Sequence, residues 1–195
     1  MYKRQSKWNS TVILSVNNIK VGEDAVINIA VPEDVTGLVT VTIDGKSYTV
    51  LINNGKGSLT LSNLVANSYP ITAKYDGNYK YTEGENSTTL TVAKMSSAVN
   101  VTANNIKFGE EAVINIAVPN VSLGVATVVV NGKSYNVAIV DEKGVLNIYN
   151  LAAGDYNVDV TYLGDNKYLS STNAANFTVS KVSDYNMTVD IADIV

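Results

Sequence analysis

Val39-Thr40-Val41-Thr42-Ile43-Asp44-Gly45-Lys46-Ser47-Tyr48-Thr49-Val50-Leu51-Ile52 decides the fold class of this chain. Val39, Val41 and Ile43 alternate with threonines, and Tyr48, Val50 and Ile52 alternate with Ser47, Thr49 and Leu51. A period of two in Val, Ile, Thr and Tyr predicts half-buried strands. Asp44-Gly45 between them predicts a two-residue hairpin of type I′, because both residues tolerate the positive φ that this turn requires. Upstream, Ala25, Ile27, Ile29 and Val31 fall on one face of a strand, with Val26, Asn28 and Ala30 on the other. Downstream, Asn53-Asn54-Gly55 turns the chain again. Short strands follow at Leu59 and Leu61, at Ile71, Ala73 and Tyr75, and at Leu90 and Val92. With an opening strand from Thr11 to Val16, about seven strands are expected, spaced as in a β-sandwich.

The same plan recurs. Shifted by 87 residues without a gap, Asn17-Asn18-Ile19-Lys20 falls on Asn104-Asn105-Ile106-Lys107, and Ala25 to Pro32 falls on Ala112 to Pro119. Asn131-Gly132 takes the hairpin position of Asp44-Gly45. So long a period suits self-contained small domains rather than solenoid units that lean on their neighbours. The expected organisation is one repeat over 7–93 and a second over 94–180. Residues 181–195 would open a third, since Tyr185 to Ile191 resembles the first strand of each unit. Met1 and the polar run that follows read as a boundary cut into a longer chain, with no signal peptide among them.

Composition narrows the chemistry. The 195 residues contain no Cys, which excludes disulfides, thiol nucleophiles and Cys-ligated zinc. They contain no His, which removes the commonest general base and metal ligand. A net charge of −4 argues against a nucleic-acid partner. No apolar run reaches membrane-spanning length.

Leu64-Val65-Ala66-Asn67-Ser68-Tyr69 aligns with Leu151-Ala152-Ala153-Gly154-Asp155-Tyr156. Asn67 and Gly154 are expected to take a left-handed conformation. The following Tyr matches the tyrosine corner of immunoglobulin-like sandwiches, its hydroxyl bonding back to upstream backbone. The only Trp, Trp8, lies outside the strands, and Met95 replaces it in the second unit.

Gly57 to Leu64, Tyr69 to Tyr81 and Tyr156 to Tyr168 together resemble bacterial Ig-like domains of the group 3 type. The acidic, Asn-rich, Cys-free version is most similar to repeats of adhesin-like surface proteins of methanogenic archaea. The resemblance implies all-β immunoglobulin-like sandwiches in tandem, extracellular display on a cell surface and a stalk or adhesive role. It carries over no catalytic residue and no cofactor.

Several groupings were weighed. Glu23-Asp24, Glu110-Glu111, Asp76, Asp165, Glu83 and Glu85 read as solvated turn acids rather than a calcium site, because no Asp-x-Asp-x-Asp-Gly loop gathers them. Among 12 tyrosines, Tyr79 beside Tyr81 is the best candidate for a sugar-stacking platform. Tyr75, Tyr81, Tyr162 and Tyr168 occupy shared positions and read more simply as core or loop packing. Asn9, Asn86, Asn100, Asn120, Asn176 and Asn186 each precede Ser or Thr by two residues. They read either as glycan acceptors or as chance matches in an Asn-rich chain. Lys74, Asn28 and Asp159 face away from the core, which argues against an internal isopeptide bond.

Between Val92 and Val99 lie only six residues, without Gly or Pro. So short a join is not a flexible tether, and two sandwiches arranged end to end are expected. The expected function is a non-catalytic spacer whose partners are the neighbouring repeats, with no nucleic acid. The alternative is an adhesive module recognising surface glycans or proteins of another cell.

Overall fold

The computed structural model describes residues 6–182. The chain divides into two compact units between Met95 and Ser96. Among the described residues the regular elements are strands alone. The expected opening strand of a third repeat falls from position 183 onward outside the described residues.

The first unit contains β1 (Ile13–Val16), β2 (Ile19–Lys20), β3 (Ala25–Ala30), β4 (Gly37–Ile43), β5 (Lys46–Ile52), β6 (Lys56–Leu61), β7 (Asn67–Tyr75) and β8 (Gly84–Ala93). They form two sheets, β1-β3-β6 and β2-β8-β7-β4-β5. All pairs are antiparallel except β2 with β8, which run parallel. The hairpin closes on Ile43 opposite Lys46, with Asp44 at φ 47° and Gly45 at φ 76°, as a type I′ turn demands.

Alternation sets the burial. Ala25, Ile27 and Ile29 from one sheet meet Val39, Val41, Val50, Ile71, Ala73 and Leu90 from the other in one core. Removing such side chains from water is the main force closing each sandwich. Among the described residues the buried positions are apolar or aromatic throughout.

The second unit repeats the elements as β9 (Asn100–Ala103), β10 (Ile106–Lys107), β11 (Ala112–Ala117), β12 (Leu123–Val130), β13 (Lys133–Val140), β14 (Lys143–Ile148), β15 (Gly154–Tyr162) and β16 (Ser171–Ser180). Here the two layers are laced into one sheet, because Val140 pairs with Lys143 across the β13–β14 turn. The matching Asn53–Lys56 contact of the first unit is an isolated bridge.

Three features differ from the sequence reading. The expected seven strands are eight, because a two-residue strand, β2, follows the opening strand expected from Thr11 to Val16. Between β1 and β2, the side-chain oxygen of Asn18 accepts the Thr91 backbone N–H at 2.8 Å, and Asn105 does the same for Thr178. The asparagine caps a ladder position while the chain changes sheets. Second, the left-handed residues are Asn63 (φ 60°) and Asn150 (φ 59°). Asn67 already belongs to β7 and keeps φ negative, and Gly154 sits at φ 156°, away from the left-handed well. Third, the gap-free alignment conceals a local shift. Val35 is buried and its carbonyl accepts the Gly55 N–H, whereas in the second unit Val121 does this for Glu142. The loop before β12 therefore reaches its buried valine one residue sooner than the loop before β4.

The tyrosine corner is present in both units. The Tyr69 hydroxyl donates to the Val65 carbonyl and that of Tyr156 to the Ala152 carbonyl, each at 3.0 Å. Strand order, two facing layers and this corner make each unit an immunoglobulin-like β-sandwich.

Candidate functional site

The copies diverge most usefully in the loop between β7 and β8. Gly77 adopts φ 79°, and a Cβ there would lie 2.7 Å from the Thr82 carbonyl carbon and 2.8 Å from the Glu83 nitrogen. Next, the Asn78 side-chain oxygen accepts the backbone N–H groups of Lys80 and Tyr81, both at 2.8 Å. The Asn78 N–H donates to the Tyr81 carbonyl at 3.0 Å. This local knot throws Tyr79 outward, where it is 90% exposed.

Trp8 joins the loop from the start of the chain. Its N–H donates to the Lys80 carbonyl at 2.9 Å, and its own carbonyl accepts the Thr82 N–H at 2.8 Å. The indole meets the Tyr81 ring edge-on at 6.1 Å between centroids. The Lys80 amine lies 4.7 Å from the indole centroid and is also ion-paired with Asp34. Trp8 is nonetheless 58% exposed. Tyr81 is 7% exposed, and its hydroxyl donates to Asp34 at 2.8 Å.

Hydrogen bonds from Lys80, and then from Tyr81, hold the Asp34 carboxyl below its usual value. The same bonds to Asp34 raise Lys80 and Tyr81. Two open clefts share Lys80. One, of about 260 Å³, is lined by Ser6, Lys7, Trp8 and Tyr79. The other is lined by Glu33, Asp34, Asn54 and Tyr81.

The second unit builds the same loop and keeps its lysine and tyrosine as Lys167 and Tyr168, without counterparts of Trp8, Asp34 and Tyr79. Gly164 has φ 77°, and Asp165 accepts the Lys167 and Tyr168 N–H groups at 2.7 and 2.6 Å. The 87-residue shift, however, places Met95 and Asn166 opposite Trp8 and Tyr79, and with the shorter loop before β12 Asn120 stands opposite Asp34.

The other candidates are dispersed. Glu23 and Glu110 accept the Lys20 and Lys107 N–H groups at 2.7 Å, each closing its turn. Asp76 lies 3.1 Å from the Lys74 amine and Glu83 4.0 Å from it, at the surface. Glu111 raises the Tyr149 hydroxyl. Asn28 and Asp159 are exposed. Tyr75, Tyr162 and Tyr168 are buried with Tyr81. The Asn86 amide donates to the Val12 carbonyl at 2.9 Å, which occupies it. Asn9, Asn100, Asn120 and Asn176 are exposed, and Asn186 lies outside the described residues.

Sequence reasoning singled out Tyr79 but not Trp8 or Asp34 as its neighbours at one site. The available signal was the difference between copies. Positions where a tryptophan faces a methionine and a tyrosine faces an asparagine mark where the surfaces of the two units differ.

No family model matches the chain, and no curated protein matches it either. Solved structures similar to it include the fibronectin(III)-like modules of CbhA from Clostridium thermocellum, 13% identical, covering 93% of this chain and 100% of that one, with a TM-score of 0.39. The titin Ig tandem domains are 14% identical over 91% of this chain and 100% of that one, with a TM-score of 0.37. The Yersinia pseudotuberculosis adhesin InvE is 17% identical over 88% of this chain and 59% of that one, with a TM-score of 0.39. The sandwich assignment rests on strand order, not on these likenesses. Among the described residues no helix is long and apolar enough to cross a membrane.

Proposed function

We propose that the chain is a pair of non-catalytic spacer repeats from an extracellular, adhesin-like surface protein, of the group 3 Ig-like type, projecting a distal domain from the cell. The observation that carries this reading is the parallel pairing of the first-half strand β2 with the last strand β8. Ile19 pairs with Val92 and Lys20 with Ala93, and the Val21 N–H donates to the Ala93 carbonyl at 2.9 Å. The second unit repeats it: Ile106 pairs with Val179, and the Phe108 N–H reaches the Ser180 carbonyl at 2.8 Å. Parallel strands near opposite ends of one domain are pulled in shear when the chain is stretched. Their hydrogen bonds then share the load instead of opening one by one. The short join without Gly or Pro is not a flexible tether. Single-molecule stretching tests the reading: each unit is expected to yield at a force peak of its own, and extension without a force peak contradicts it.

A second reading, an adhesive module that binds through loops at one end of a sandwich, draws on the exposed Trp8 and Tyr79.

A further inference from the structure

We infer that the Trp8–Tyr79 end of the first unit is a binding site for a neutral oligosaccharide, and that the second unit has no such site. The inference rests on the second reading above; the spacer role does not depend on it.

Exposure comes first. A tryptophan and a tyrosine line one cleft at 58% and 90% exposure, although the same fold manages with Met95 and Asn166 in its other copy. Burial in the sandwich therefore does not account for them. Single apolar side chains are exposed elsewhere on both units, but here two aromatic rings are gathered on one cleft, the arrangement that marks a ligand surface.

Order comes next. Trp8 is fixed by two backbone hydrogen bonds, by edge contact with Tyr81 and by the Lys80 amine over its ring. Lys80 is itself held by Asp34, which Tyr81 also anchors. A ring already held in place loses little freedom on binding.

Charge and shape then select the ligand. Of the two lysines in the Trp8–Tyr79 cleft, Lys80 is already neutralised by Asp34, and Glu33 and Asp34 line the neighbouring opening. An anion meets Lys7 alone rather than a cluster of cations, with two carboxylates next door. The clefts are open, so a purely apolar molecule would remain largely in water. Two aromatic rings among five lining residues make a patch far smaller than a protein interface, which takes about twenty residues a side. A sugar ring answers all three conditions. Its C–H face is weakly positive and stacks on the negative face of an aromatic ring, while its hydroxyls reach groups such as Asn54, Glu33 and Ser6. A cleft of about 260 Å³ suits one or two ring units, with the chain continuing into the neighbouring opening.

The test uses the full chain. Trp8 is the only tryptophan, so its fluorescence reports this site alone. The probes are neutral hexasaccharides of glucose, N-acetylglucosamine, mannose and galactose, with a sulfated hexasaccharide as control. At least one neutral probe should change the emission with a Kd of roughly a millimolar or tighter. It should also shift amide resonances near Trp8, Asp34, Asn54 and Tyr79, leaving those of the second unit still. Tyr79→Ala should weaken binding at least tenfold while the core resonances of the first unit stay in place, and Trp8→Ala should abolish those shifts. Silence from every neutral probe would overturn the inference. So would preference for the sulfated probe, insensitivity to Tyr79→Ala, or emission that changes with protein concentration alone. Capture of a protein by this face without any sugar response would keep the second reading and still overturn the sugar site.

Discussion

The hydroxyl of Tyr69 reaches back four residues to Val65, and that one bond ties the crossing from β6 to β7. Tyr69→Phe keeps the buried ring and deletes the bond, so the first unit should lose about 1 kcal/mol in denaturant unfolding. Tyr156→Phe should do the same in the second unit through Ala152. Tyr162 makes a different prediction. It is fully buried, and burial, then the nearby Asp165 carboxylate, push its hydroxyl up to about 12 from an ordinary 10.0. The folded state thus holds this proton more tightly than the unfolded chain. Its contribution is complete below about pH 10 and is lost as pH rises towards about 12, a change on the order of 3 kcal/mol. Stability measured across that window should fall, and Tyr162→Phe should remove this share of the slope. Tyr75 and Tyr81 are raised as well, so their share remains.

At the scale of elements, what the sequence made legible was whatever depends on local chemistry. Alternation placed Val39, Val41 and Ile43 inside, and Asp44-Gly45 specified its own turn. The extra strand β2 was not legible, because it depends on Asn18 meeting Thr91, 73 residues away. The bend at Asn63 was misplaced onto Asn67 for a related reason: both can turn left-handed, and only the start of β7 decides between them. The site was half legible. Tyr79 stood out, but Asp34 and Trp8 reach Lys80 only through the fold. The loop that presents them depends on Gly77. Gly77→Ala should destabilise the first unit by about 1–3 kcal/mol, since backbone atoms crowd the new methyl and φ is positive. It should also alter Trp8 emission. Gly164→Ala in the second unit should carry a similar cost with Trp8 emission unchanged.

For the whole molecule, the 87-residue period announced two bodies, and the contacts divide the chain between Met95 and Ser96. What the period could not announce is that each body joins its own early and late strands in parallel, as β2 with β8 and β10 with β16. A spacer under tension needs such units to yield separately. Pulling single molecules from their two ends measures this most directly. The account predicts two distinct force peaks, each releasing roughly 25–30 nm of chain, from a period of 87 residues at about 3.5 Å per residue. One event of roughly twice that length, or extension without a force peak, would contradict it.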